Sequence, residues 1–287
     1  MKPNTLSSFL FVLLTYFAAT LGVEAVVPPP DGGYPNFTTA EGQNALQSLT
    51  TGAVNTALGA YSLFSSTTAS LNTAVGAGTL FTNTADRNTA IGAGALFSNS
   101  TGIDNTALGA FALFSNTTGG DDAYMGNTAV GTQALFSNTI GGGNTAVGAG
   151  ALFNNTEGVA NTAIGVDALF GNTTGSGNIA FGQYAMNFNT EGTDNIAIGF
   201  EALWTNDTGS YNIVVGRDAL SSNQAGTNNI AVGYQTMYSN HNGSENTAVG
   251  EAALLEAAVA ELNGQIQKVS AQIELSKPAP QTVKNTD

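Results

Sequence analysis

The clearest pattern in this chain is a recurring alternation of short apolar runs and polar turn residues. Written from its first Asn, the unit is N-[T/I]-A-[V/I/L/F]-G-x-x-A-L-F-x-N-T-x-G-x-x, and the best copy runs from Asn161 to Gly177. Successive copies are 17 residues apart in nine of eleven intervals, 16 apart in one and 22 apart in one. The twelve copies begin at Asn55, Asn72, Asn88, Asn105, Asn127, Asn144, Asn161, Asn178, Asn195, Asn212, Asn229 and Asn246.

A fixed short period predicts a stack of structural repeats. A degenerate thirteenth copy precedes the twelve, because Gly42 lies 17 residues before Gly59. Two glycines in each unit disfavour helices, and the seven prolines all lie at or before Pro35 or from Pro278 onward, as a continuous sheet requires. We therefore predict an all-β fold, a parallel β-solenoid of about 13 coils with 17-residue repeats, over residues 38–254.

Side-chain alternation along the first strand of each unit suggests which residues face inward. Counting the Asn as position zero, position one is Thr or Ile and position three is apolar in the twelve copies. We expect these two positions to face the interior and position two to face the opposite way. Position two is Val214 in one copy and Ala in the other eleven. This uniformity predicts a trimer interface lined with small residues, and recent duplication of the repeat is the alternative explanation. The interface candidates are Ala57, Ala74, Ala90, Ala107, Ala129, Ala146, Ala163, Ala180, Ala197, Ala231 and Ala248.

Other positions of the unit, which carry the same residue in most copies, predict columns of like residues along the stack. Leu at position eight is expected to form a buried column. Phe at position nine gives way to Trp204, Tyr238, Asn187 and Ser221, which predicts a partly exposed aromatic. The Asn at position zero is in register in every coil, so its side-chain amide is expected to form a hydrogen-bonded ladder.

The two ends of the chain depart from the repeat. Residues 1–25 have the pattern of a secretory signal peptide, with Lys2, an apolar run from Phe9 to Gly22 and a small-residue cleavage site. A membrane anchor and a buried helix are the alternatives, but the run is shorter than the ~20 residues that span a bilayer. Residues 26–37 are predicted to be a linker. The mature chain is expected to be exported, either secreted or at the cell surface.

After residue 254 the period changes to a heptad, which predicts a coiled-coil helix over residues 255–275 and a disordered tail over residues 276–287. A lone amphipathic helix that caps the solenoid is the alternative, and the heptads alone do not fix the number of chains. The predicted seam consists of Leu255, Val259, Leu262, Ile266, Val269 and Ile273.

Composition narrows the possible functions. Six Lys and Arg residues against twenty Asp and Glu give a net charge of −14, so there is no basic stripe to bind nucleic acid. Without cysteine there are no disulfides and no thiolate metal sites. Asp121 and Asp122 lie in the longest interval, but two carboxylates alone indicate a solvated loop more than a cation site. We expect no metal, no cofactor and no membrane insertion of the mature chain.

Some copies carry a family resemblance. Asn178–Gly182 reads N-I-A-F-G and Asn195–Gly199 reads N-I-A-I-G, which resemble the S-V-A-I-G core of YadA-like heads in trimeric autotransporter adhesins. The longer form, N-T-A-V-G-x-x-A-L-x-x-N-T-x-G, is similar to repeat-containing surface and fibre-like proteins. The resemblance implies a left-handed β-roll with three chains side by side and with the small residues of position two against the threefold axis.

These features favour a non-enzymatic, adhesin-like structural rod, exported and homotrimeric, that contacts a surface polysaccharide or matrix. An ice-binding β-solenoid is the second hypothesis, weakened because position one is Ile at Ile179, Ile196, Ile213 and Ile230. A β-helix enzyme acting on polysaccharides is the third. It lacks a visible set of catalytic side chains, since the one histidine, His241, lies in a variable corner.

Overall fold

The computed structural model describes residues 35–120 and 125–253. The predicted signal peptide, nearly all of the linker, Asp121, Asp122 and the coiled-coil seam lie outside these residues. In the described part the chain is all-β, apart from one short 3-10 turn at Pro35–Phe37.

Thirteen parallel strands of three residues each form one sheet, and their order in the sheet follows their order in the chain. We number each coil by its strand. The strands are β1 (Thr39–Glu41), β2 (Thr56–Leu58), β3 (Thr73–Val75), β4 (Thr89–Ile91), β5 (Thr106–Leu108), β6 (Thr128–Val130), β7 (Thr145–Val147), β8 (Thr162–Ile164), β9 (Ile179–Phe181), β10 (Ile196–Ile198), β11 (Ile213–Val215), β12 (Ile230–Val232) and β13 (Thr247–Val249).

Each connection between successive strands makes one turn of a β-solenoid, which confirms the fold predicted from the period. Every strand pairs with the next so that equal positions of the repeat are partners, for example Ala163 with Ala180. Adjacent strands in a sheet are ~4.8 Å apart, so twelve intervals give a stack roughly 58 Å long.

The turns are hydrogen-bonded between coils as regularly as the strands are. The Leu169 amide donates to the Ala185 carbonyl at 3.0 Å, and the amides of Thr173, Thr174 and Gly175 all donate to the Thr190 carbonyl at 3.0–3.2 Å. Each coil therefore satisfies its backbone mainly through its neighbours and only slightly within itself. Such a chain gains stability by stacking, as repeat proteins do.

The interior holds the residues of positions two, seven and eight. The Ala side chains of position two have no exposed surface in coils 2–10 and 12, and Ala248 in the last coil is 8% exposed. They form one hydrophobic core with the column of position eight, where Leu is replaced only by Met186 and Met237 in coils 2–12. The predicted Leu column is confirmed.

The predicted orientation of the first strand is wrong. Position two points inward, and positions one and three point outward and are half-buried or exposed. The predicted interface residues, Ala57, Ala74, Ala90, Ala107, Ala129, Ala146, Ala163, Ala180, Ala197, Ala231 and Ala248, are covered by their own chain and do not line a surface where another chain docks.

The correct physical reason for the uniform Ala is the width of the coil. The Ala of position two shares one buried core with the Leu or Met of position eight, and a small residue beside a large one suits a narrow, closely packed interior. Val214 shows that one extra branch is accommodated at β11, where it is fully buried.

Glycine at position four ends each strand and is required for two reasons. Its φ is between 122° and 143° in all thirteen coils, a region that side chains disfavour. A Cβ at Gly165 would also lie 2.5 Å from the carbonyl oxygen and 2.6 Å from the carbonyl carbon of Gly182 in the next coil, which is too close for any side chain. This column of glycines lets the coils approach closely where the chain turns away from the sheet.

The inward direction of position two predicts opposite effects for two neighbours in β8. Ala163→Leu adds bulk to a filled core, and overpacking of this kind costs about 1–3 kcal/mol of the free energy of unfolding. Thr162→Leu adds an equally large side chain on the outward side, so it is expected to change that free energy by less than about 0.5 kcal/mol. Urea unfolding followed by circular dichroism measures both. Equal stability of the two variants would contradict the orientation described here.

Candidate association surface

The strand sheet is held in place by a buried ladder of asparagine amides at position zero. The Asn161 Oδ1 accepts hydrogen bonds from the backbone amide of Asn178 at 2.9 Å and from its Nδ2 at 3.1 Å. The Asn161 Nδ2 donates to the Asn144 Oδ1 at 3.2 Å and to the Gly175 carbonyl at 2.8 Å. All four hydrogen-bonding capacities of this amide are thus used in the dry interior, which confirms the predicted ladder.

A second amide ladder, at position eleven, was not predicted. The Asn172 Nδ2 donates to the Asn155 Oδ1 at 2.8 Å and to the Gly175 carbonyl at 2.9 Å. The Gly175 carbonyl therefore accepts from both ladders, and it joins the start of the strand to the N-T-x-G corner. The sequence signal was present, since the Asn of the N-T-x-G corner recurs as regularly as the first Asn.

The second ladder includes the asparagines of four N-x-S/T glycosylation sequons. Asn99, Asn116, Asn172 and Asn206 belong to it and have no exposed surface. Their amide nitrogens donate to neighbouring asparagines at 2.6–2.8 Å. These side chains are therefore closed to modification once the solenoid has folded.

On the side opposite the ladders lies an outward surface, which we call the strand face and define as the side chains of positions one and three in β1–β13. Position one is Thr in β1–β8 and β13 and Ile in β9–β12. Position three is apolar in every strand except β1, which carries Glu41. Several of these apolar side chains are exposed: Ile91 is 43% accessible, Phe181 54% and Val249 70%.

This surface is nearly free of charge in a chain whose net charge is −14. A face that meets only water in an acidic protein normally carries charged side chains, whereas the centres of protein interfaces are depleted of them. Contiguous exposed apolar surface of this kind marks an interaction site. The strand face is therefore the candidate functional site of the described residues.

A second regular surface is the pile of phenylalanines at position nine. Phe64, Phe81, Phe97, Phe114, Phe136, Phe153 and Phe170 stack with ring centroids 5.0–5.2 Å apart and planes within 16° of parallel. Most are partly exposed, as the sequence predicted. Because each ring covers the face of the next, only ring edges meet solvent along the pile. This arrangement stabilises the stack and offers no open ring face between Phe64 and Phe170 for a sugar.

Apart from Glu41, the charged groups of the described residues lie outside the strand face and are mostly solvated. Arg87 donates to both carboxylate oxygens of Asp104 in the next coil, at 2.7 and 2.9 Å, and this hydrogen bonding lowers the pKa of Asp104. Arg217 lies 5.1 Å from the ring centroid of Phe200 and 3.5 Å from Asp218. Burial raises the pKa of Asp167. These contacts are exposed or partly exposed, so each contributes little to stability.

No group of three or more His, Cys, Asp or Glu side chains that could hold a metal ion occurs within residues 35–120 and 125–253. His241 is exposed, and its Nδ1 lies 2.8 Å from the carbonyl oxygen of Ser239. In the same part of the chain there is no helix with the length and apolar character needed to cross a membrane.

Comparison of the chain with models of protein families, with curated proteins and with solved structures gave no match. The candidate site is therefore defined by the geometry and the chemistry of the strand face alone.

Removing one amide from the first ladder is expected to destabilise the solenoid. Asn161→Ala leaves the buried backbone amide of Asn178 without its acceptor, and a buried group without its hydrogen bond costs about 1–3 kcal/mol. Asn154→Ala, seven residues away at a half-buried position, is the matched control and is expected to change the free energy of unfolding by less than about 0.5 kcal/mol. If both variants unfold at the same urea concentration, the ladder does not carry this stability.

A charge at the same position adds a dependence on pH. Asn161→Asp places a carboxyl against the acceptor oxygen of Asn144 in a buried site, which raises the pKa of the introduced group in the folded state. A pKa that is raised on folding favours the folded state at low pH and disfavours it as the pH increases. We expect the difference in melting temperature from the wild-type chain to be small near about pH 3 and large near about pH 7. A difference that does not change with pH would contradict this prediction.

Proposed function

We propose that this protein is a non-enzymatic structural rod that associates with other copies of itself through the strand face. The observation that carries the proposal is that 25 of the 26 outward positions of the thirteen strands are Thr, Ile, Val, Leu or Phe, with Glu41 as the one exception. The face is about 10 Å wide and roughly 58 Å long, or roughly 580 Å² in projection, which is of the same order as the ~800 Å² that each partner buries in an ordinary stable interface.

A second copy of the chain fits this surface better than another kind of partner. The rows of side chains on the face, one row for each strand, repeat at the strand spacing of ~4.8 Å. Another solenoid of the same repeat has rows with the same spacing along its whole length. Two acidic chains also repel each other, so they approach most easily at a face without charge. Both properties favour side-by-side association with the long axes aligned.

Sequence features support a number of chains and a location for the protein. The resemblance to YadA-like heads supports a homotrimer, and the predicted signal peptide over residues 1–25 supports export to the cell surface or the medium. A rod of repeated units presents its remaining faces many times, so weak contacts with a polysaccharide or matrix would add up through multivalency. We propose this adhesive role for the faces that self-association leaves open.

Charge on the strand face is expected to dissociate the assembly. Ile213→Glu places a carboxylate at an exposed position of β11, 43% accessible in the single chain, and burying it against another copy would cost several kcal/mol. Val159→Glu adds the same charge at a position with similar exposure, 39%, outside the strand face. Light scattering after size-exclusion chromatography measures the mass of each variant.

We expect the wild-type chain and Val159→Glu to have the mass of a trimer, and Ile213→Glu to have the mass of a monomer with an unchanged circular dichroism spectrum. A wild-type chain that is monomeric at all accessible concentrations would refute the proposal.

A second candidate function, ice binding, is favoured by one structural observation. The Thr side chains of position one point outward, and they form an unbroken row of eight from Thr39 to Thr162 along the parallel sheet. A row of hydroxyl and methyl groups at ~4.8 Å intervals is able to order water. The four Ile residues that follow interrupt this row, so self-association remains the preferred function.

The two candidates are separated by a thermal-hysteresis measurement on the purified chain. Ice binding predicts a gap between the melting and freezing points that disappears in the variant Thr128→Lys/Thr145→Lys, whose side chains break the row. Self-association predicts no gap for either protein, since its interface covers the same face.

A further inference from the structure

The strand face is not uniform along its axis. Position one is Thr in the first eight strands, then Ile in four consecutive strands, then Thr again in β13. Ile179, Ile196, Ile213 and Ile230 are direct partners in the register of β9–β12, so their side chains form one continuous column. We call these four residues the Ile block.

The Ile block makes one part of the face more apolar than the rest. Ile179, Ile213 and Ile230 are 42%, 43% and 38% exposed, and their neighbours at position three include Phe181 at 54% and Ile198 at 40%. In β5–β8 the residue of position one is a half-buried Thr, which has a hydroxyl where Ile has an ethyl group. A few residues carry most of the binding energy at a protein interface, and burial of apolar surface is favourable, so an association through this face is expected to be strongest at the Ile block.

A repeated surface also has a problem of register. When two identical solenoids slide past each other by one coil, their strands lie side by side again. A face of uniform Thr and Val would therefore bind almost equally well at each such step. Apart from Glu41 in β1 the face carries no charge, so it offers no ion pairs that distinguish these steps. Position three also varies, but beyond β1 only among apolar residues, whereas the Ile block changes the chemistry of position one over four consecutive coils. Two parallel chains match their Ile blocks fully in one alignment only. An antiparallel pair matches them when β9 faces β12, but only β8–β13 of the two chains then overlap.

We infer that the Ile block is the site that fixes the axial register and the parallel orientation of the associated chains. In this arrangement β9–β12 of one copy face β9–β12 of another. In an antiparallel arrangement about the middle of the stack, the same strands would face β2–β5, whose position-one residues are Thr56, Thr73, Thr89 and Thr106. The inference rests on the proposed self-association and adds to it the determinant of its geometry.

Two multiple variants of the full chain test this inference with residues that the repeat already contains. The first replaces the block with the residue of the other coils, Ile179→Thr, Ile196→Thr, Ile213→Thr and Ile230→Thr. The second adds to these changes Thr106→Ile, Thr128→Ile, Thr145→Ile and Thr162→Ile, so that a block of the same composition is moved four coils toward the N-terminus. Circular dichroism spectra and melting temperatures establish that both remain folded.

Sedimentation equilibrium measures the association of each protein. We expect the first variant to associate at least about 100-fold more weakly than the wild-type chain, from the loss of apolar surface at four sites in each copy. The second variant is expected to associate as strongly as the wild-type chain. Native mass spectrometry of an isotopically labelled wild-type chain mixed with the second variant is expected to show mainly homo-oligomers. The two blocks align only when one chain is shifted by four coils, which leaves four strands of each chain uncovered.

The outcomes distinguish this inference from the proposed function. If the wild-type chain does not associate, both fail. If the wild-type chain associates and the first variant does so equally well, self-association stands and the role of the Ile block is refuted. If the second variant regains its affinity but mixes freely with the wild-type chain, the block contributes affinity without setting the register, which also overturns the inference.

Discussion

The whole structure depends on the repeated hydrogen bond between asparagine amides of adjacent coils. Because each position-zero amide accepts from the next Asn and donates to the Gly carbonyl of its own coil, it sets the spacing between coils and also closes each turn. The second ladder meets the first at the same carbonyl. Because the ladders hold positions zero and two of each strand in the interior, positions one and three are the side that remains open to other molecules.

The fold followed from the sequence because its signals are periodic and local. The 17-residue interval predicted the stack, and the recurrence of Asn161 and of Leu169 at fixed positions predicted an amide ladder and a buried column. The second ladder was not predicted from the sequence because Asn172 and its equivalents lie beside Thr and Gly, a combination that also occurs in solvated turns. Only the structure shows these amides to be buried.

Sequence reasoning did not predict which side chains of the first strand face the interior, although the chain contained the needed signal. Alternation places position two on the same side as position zero, so a buried ladder at Asn178 requires a buried Ala180. The uniform Ala was instead attributed to another chain. A narrow interior and a close interface impose the same preference for small residues, and composition alone does not separate them. The outward row of Ile179, Ile196, Ile213 and Ile230 became significant only after the inside was known.

The glycine column at position four has a consequence for how such a chain changes its size. Since each coil contacts its two neighbours through the same backbone atoms, a coil added or removed in the middle leaves every remaining junction as it was. The interval from Asn105 to Asn127 shows that extra residues are also tolerated without changing the pairing of β5 with β6. The length of this architecture is thus adjustable in steps of one coil. Duplication or deletion of one repeat in the gene would lengthen or shorten the solenoid without any other change in sequence.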